Sequence, residues 1–238
     1  MLPEKTIDEF LQRARAAAGD NLDSVVLYGS AVSGNFHPEF SNLNLFCVLR
    51  DTSLTHIAAL HPLFKWWTEQ KQPPPLIMGR RELANSADVF PIELTDMQRY
   101  HRILFGDDPI AGIQVSPQLH RAQVEYELRE KLVLLRQHIA LSAIDEKRLW
   151  DLLLRSAPSI VTLFRHALIV LGNSADTSGR DALHTLAAKI GFDASAIEQA
   201  LEIREHSADS RKLNVNDLLS KYLAAVEQVI AAVDQPAS

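Results

Sequence analysis

Two short stretches hold the side chains whose types and spacing can do chemistry: Val25-Val26-Leu27-Tyr28-Gly29-Ser30 and, after a polar loop, Ser41-Asn42-Leu43-Asn44-Leu45-Phe46-Cys47-Val48-Leu49. The apolar runs read as two strands, with the Gly-Ser pair as the turn that leaves the first. Gly29 can take backbone angles closed to other residues. Amides that follow a Gly-Ser turn opening into a helical turn can point at phosphate oxygens, so Gly29 and Ser30 form a candidate nucleotide cradle. Asn42 and Asn44 stand two apart, so on a strand they share a face and can converge on one ligand. Downstream, Val89-Phe90-Pro91-Ile92-Glu93-Leu94 reads as another strand, with Pro91 placing it at an edge or a bulge. A Glu on the solvent face of a strand needs no function, so Glu93 is either a site residue or a surface one.

At these residues the chain resembles the polymerase-β-like nucleotidyltransferases, in particular the small bacterial and aminoglycoside-modifying ones. Their pattern is Gly-Ser, loop, Ser-Asp-x-Asp-Leu, and Gly29, Ser30, Ser41, Leu43 and Leu45 fit it. Asn42 and Asn44 stand where that family carries the two aspartates that hold Mg²⁺. The resemblance covers residues 20–106 by motif and implies a nucleoside triphosphate ligand, Mg²⁺ and a small-molecule hydroxyl acceptor. In the family a third acid on a later strand completes the metal site or acts as the base, and Glu93 is its candidate here. Amides are neutral, however, while Mg²⁺ prefers carboxylates and phosphate oxygens in octahedral geometry. Asn42-x-Asn44 therefore removes two negative charges from the place the ions need. Nucleotide binding can outlast catalysis, because an amide keeps the shape and hydrogen-bonding capacity of the acid it replaces. The expected function is a degenerate nucleotidyltransferase that still binds a nucleotide or a partner. The alternative is an active transferase of nucleoside monophosphate, in which Glu93 and Glu39 replace the missing acids.

Other polar residues carry weaker signals. His37 and Glu39 lie in the loop 33–40, which in the resembling family runs beside the phosphates; isolated loop residues of these types are usually just solvated. Arg80 and Arg81 suit a triphosphate by charge-assisted hydrogen bonds, but a solvated surface pair is the favoured reading. Arg165-His166 reads as a helix-surface pair, and of Trp66-Trp67 one belongs in the core. No Walker or dinucleotide-binding glycine pattern is present, and the nine histidines lack zinc-ligand spacing.

The elements that must position these groups follow from periodicity. Thr6 to Glu9 reads as a capping box opening a helix over 6–18. Residues 53–70 form a helical stripe that Pro62 kinks or splits; 76–79 is a third strand, 82–85 a turn or short helix, and 103–106 a closing strand. From Ser116-Pro117 onward the pattern is helical, over 117–141, 145–171 with Pro158 inside, 179–190, 194–205 and 215–233. The expected class is α+β. A mixed sheet with flanking helices occupies residues 1–114, and an all-α bundle occupies 115–238, through which a homodimer is conceivable.

Composition sets the outer limits. At 238 residues and 47% hydrophobic content, the chain can bury a sizeable core. A formal net charge of −6 disfavours a broad nucleic-acid surface. One cysteine cannot form an internal disulfide, no uninterrupted apolar run reaches the roughly 18 residues that span a bilayer, and no signal-peptide pattern opens the chain. The expected location is the cytoplasm, without membrane attachment.

Overall fold

The computed structural model describes residues 3–32, 41–174, 177 and 179–235. The chain divides into two compact units, Met1–Ser116 and Pro117–Ser238.

In the first unit, α1 (Glu4–Ala18) precedes β1 (Leu22–Tyr28), and β2 (Asn44–Leu49) follows the loop. Next come α2 (Leu54–Ala59), α3 (His61–Glu69), β3 (Leu76–Gly79), α4 (Arg80–Ala84), α5 (Pro91–Arg99) and β4 (His101–Phe105). The four strands form one sheet in the order β3-β2-β1-β4, antiparallel except for the parallel β2–β3 pair. The two expected strands lie side by side, with Tyr28 opposite Asn44. Pro62 takes an early position in α3, so the stripe over 53–70 is two helices.

Alternation along β2 sorts its side chains to two cores. Leu43, Leu45, Cys47 and Leu49 join Val25, Leu27, Ile7, Phe10 and Trp67 on one side; Phe46 and Val48 join Val26, Leu83, Leu94 and Met97 on the other. Both faces are covered, which is why β2 reads as an unbroken apolar run. Trp67 is fully buried edge-on against Phe10, 4.8 Å between ring centres, and its indole N–H donates to the Pro73 carbonyl at 2.9 Å. Trp66 remains partly exposed beneath the Arg13 guanidinium.

Two local expectations are corrected here. The capping box at Thr6 does not form: α1 begins two residues earlier behind Pro3, and Glu9 pairs with Arg13 at 2.7 Å. Residues 91–94 are helical, not a strand. Pro91 takes an early position in α5, where its missing N–H costs nothing, and Pro91, Leu94 and Met97 bury one face at helical spacing.

The second unit is all helical: α6 (Pro117–Ser142), α7 (Glu146–Val170), α8 (Gly179–Ile190), α9 (Ser195–Arg204) and α10 (Val215–Asp234). Helix α7 packs against the other four and buries Leu153, Ile160, Phe164 and Leu168 among its apolar residues. Among the described residues it is the one helix long and apolar enough to cross a membrane by length and composition alone, and here half of that stretch is core. Pro158 lies inside α7, and the Leu154 carbonyl that it leaves without a helical donor accepts from Arg204 Nη1 at 3.4 Å.

His166 is not a surface residue, as its pairing with Arg165 suggested. It is fully buried and lies 2.8 Å from Nε2 of buried His120 through its own Nδ1, while Arg165 Nη2 donates to its Nε2 at 3.1 Å. A guanidinium only donates, so Nε2 is the accepting nitrogen in the contact with Arg165, and Nδ1 is the one that faces His120. His166→Ala removes this buried contact between α6 and α7 and the ring that fills the space there. The expected cost is about 2–3 kcal/mol, read as a lower urea midpoint at unchanged slope.

Burial also sets an alkaline limit on stability. It pushes the Cys47 thiol from 9.0 to about 12, and burial first and the Glu93 charge second push the Tyr28 phenol from 10.0 to about 12. The Tyr222 phenol, whose hydroxyl lies 3.0 Å from Ser156 Oγ, moves in the same direction. All three acids hold their protons more tightly folded than unfolded, so their contribution is intact below pH 9 and is lost as pH rises from 9 toward 12. The urea midpoint is expected to fall steadily across that interval.

Candidate functional site

Strand β1 ends at Tyr28 and turns sharply. Gly29 has φ +77°, a 3-10 turn spans Gly29–Ala31, and Val32 N–H closes it on the Gly29 carbonyl at 3.0 Å. A β-carbon on Gly29 would lie 2.9 Å from Nδ2 of Asn44, so the Asn44 amide occupies the space the glycine leaves open. The positive φ is what requires glycine here, since the Asn44 amide is the end of a side chain that can turn aside.

Asn44 opens β2 and belongs to the face carrying Phe46 and Val48, the face covered by α5. Asn42 lies just ahead of the strand, not on it, and is exposed; Ser30, Ser41 and Asn44 are half-buried. The start of β2 is held by Gln72, whose Oε1 accepts from Leu43 N–H at 2.8 Å. Glu93, in the first turn of α5, is exposed; its charge contributes to the raised Tyr28 titration, which ties it to the same side of the sheet. The structure therefore gathers Gly29, Tyr28 and Asn44 directly, with Glu93 acting on Tyr28. Glu39 and His37 lie outside the described residues.

Arg80 stands elsewhere. It pairs with Asp23 near the start of β1, six residues and roughly 20 Å of strand from Gly29, and Arg81 is exposed on α4. The surface reading of this pair holds for Arg80.

Two residues at the turn escaped the sequence reading. Tyr28 carried a signal, since it directly precedes Gly29. His101, opposite Tyr28 in β4, lies 3.1 Å from the Asp108 carboxylate through Nε2. Burial opposes ionisation of Asp108, but hydrogen bonds from Ile110, His101 and Ala111 outweigh it and hold the carboxyl below its usual range. Continuing the apolar alternation of Ile103 and Phe105 back by two positions would have reached His101.

The candidate donors near the turn, among the described residues, are the half-buried Asn44 amide, the exposed Asn42 amide and the exposed Glu93 carboxylate, a set poorer in charge than Mg²⁺ prefers. Among the described residues, no three His, Cys, Asp or Glu side chains come close enough to hold a metal ion. What the arrangement offers a phosphate is an uncharged amide beside a glycine turn, with little repulsion for an anion.

An antiparallel β1–β2 pair with a Gly-Ser turn at its mouth, set in a small mixed sheet and followed by a helical bundle, is the nucleotidyltransferase fold with a helical C-terminal part. Among solved structures, the chain is similar to the spectinomycin adenyltransferase AAD(9) from Enterococcus faecialis, determined with ATP and spectinomycin. The TM-score is 0.60 at 15% identity, over 95% of this chain and 98% of that one. No protein-family model matches the sequence, and no curated protein is similar to it by sequence comparison.

Proposed function

We propose that this chain binds a nucleoside triphosphate at the Gly29-Ser30 turn without assembling the two-ion centre of nucleotidyl transfer. The observation that carries this reading is the Asn44 amide, its nitrogen 2.9 Å from where a Gly29 β-carbon would lie. On the resemblance of the Gly-Ser and Asn-x-Asn stretches to the nucleotidyltransferase pattern, this reading puts a hydrogen-bond donor at the position of an ion ligand. An amide there donates to phosphate oxygens, which an ionised carboxylate cannot do. The fold is shared with a protein solved with ATP, which makes ATP the first ligand to test.

A second reading rests on Glu93, whose charge reaches Tyr28 at the turn. Here the protein transfers a nucleoside monophosphate to a hydroxyl of a small acceptor, with Glu93 as base. One calorimetric titration and one assay separate the two. ATP is expected to bind with comparable affinity in EDTA and in Mg²⁺, with no pyrophosphate released. Pyrophosphate release that disappears in Glu93→Gln would establish the transferase instead, and an absence of ATP binding in either buffer would remove both.

A further inference from the structure

On the same face of the sheet, one alternation beyond Asn44, a cavity of about 170 Å³ opens between β2, β3 and the helices α4 and α5. Phe46, Met78, Leu83, Leu94 and Met97 line it. Leu76 on edge strand β3 and Phe90 ahead of α5 also border it, and each is 38% exposed, so the cavity communicates with solvent at that edge. Its two polar neighbours are Ser86 and Glu93. Ser86 is already committed, its Oγ donating to the Glu82 carbonyl at 2.6 Å and lying 3.9 Å from Met78 Sδ. Glu93 is exposed, so its carboxylate is hydrated at the rim while the interior remains apolar.

Size and chemistry together restrict the occupant. An apolar cavity of about 150 Å³ stays dry and accepts a benzene ring, so the present one has room for a single ring. A ligand rich in hydroxyls and amines would leave those groups without partners against Phe46, Met78, Leu94 and Met97, a penalty that strongly disfavours its entry. Two of the lining side chains are methionines, whose flexible thioethers adapt to a planar ring and make favourable sulfur–aromatic contacts. We infer that this cavity is a binding site for a small uncharged aromatic group, separate from the glycine turn. The inference rests on the cavity and holds whether or not a nucleotide binds at Gly29.

The chain has three methionines, Met1, Met78 and Met97, and the last two line the cavity. The full chain labelled with ¹³C at the methionine methyls therefore reports on the site directly. Titration with toluene is expected to shift the Met78 and Met97 signals together and saturably, with a dissociation constant of about 1 mM or tighter, while Met1 stays still. Spectinomycin is expected to move neither. Leu94→Phe, which fills the space, should abolish the toluene response while ATP binding is unchanged. If that variant does not fold, contacts between toluene protons and the Met78 and Met97 methyls of the unsubstituted chain decide the matter alone. Unsaturated drift of all three signals, no shift at all, or a response to benzylamine without one to toluene would each overturn the assignment.

Discussion

Gly106→Ala is expected to destabilise the first unit by about 3–5 kcal/mol and to lower its melting temperature by more than about 10 °C. Gly106 ends β4 with φ +74°, and an alanine methyl there would lie 2.1 Å from the Asp23 carbonyl oxygen and 3.1 Å from Ser24 Cα. Both obstacles are backbone atoms of β1, so no side-chain rotation relieves them. The left-handed conformation adds about 1–2 kcal/mol for a residue with a β-carbon. Shifting the strands apart would also break the bond from buried Ser24 Oγ to the Asp107 carbonyl, now 2.8 Å. Gly112→Ala is the control: its φ is also positive, but nothing lies within 4 Å of the added methyl, so only the conformational cost of about 1–2 kcal/mol applies. Thermal denaturation of the two variants checks the difference. Equal losses would mean that β1 yields at Asp23 and that the close approach is not what holds Gly106.

Where sequence signals were local and redundant, they specified the elements. Gly29 and the Leu104-Phe105-Gly106 segment mark strand ends because each glycine takes a positive φ there, and at Gly106 the β1 backbone also blocks a side chain. The long helices of the second unit were legible because their buried residues recur at helical spacing over many turns. The error at 89–94 has a physical origin. Val89, Phe90 and Ile92 are β-formers, and the helical repeat of Pro91, Leu94 and Met97 completes itself only beyond Leu94, where the apolar run ends. Short apolar runs do not distinguish a strand from a buried helix face. Glu93 thereby changes role: it stands in the first turn of a helix, where the backbone N–H groups favour a negative charge. The burial of His166 has no local signature, because it depends on His120, 46 positions away in sequence. The apolar cavity was illegible for the same reason, since its walls come from four separate elements.

The double variant Asn42→Asp with Asn44→Asp is expected to gain Mg²⁺ affinity by about 100-fold in the presence of ATP, the upper range for changes around a metal site. Two unit charges 4 Å apart at an effective dielectric constant near 20 interact by about 4 kcal/mol, and the divalent ion doubles this for each new carboxylate. Most of that is consumed in stripping water from the ion and from the acids, so the net gain is far smaller than the Coulomb sum. Asn44→Asp alone should do less and carry a cost, because the new charge is half-buried against Gly29 with Glu93 on the same side of the sheet. Without metal the double variant adds two carboxylates beside the turn on a chain that already has Glu93 on that side of the sheet, so it should melt earlier than the parent in EDTA and recover in Mg²⁺ with ATP. Mn²⁺ titration by electron paramagnetic resonance measures the affinity, and thermal melts with and without EDTA measure the repulsion. Adding Glu93→Gln to the double variant should reverse part of both effects, since it withdraws the third acid. If the parent chain already binds Mn²⁺ with ATP as tightly as the double variant, the amides are not what separates this turn from a two-ion centre. The ligands would then have to come from residues such as Glu39 in the loop.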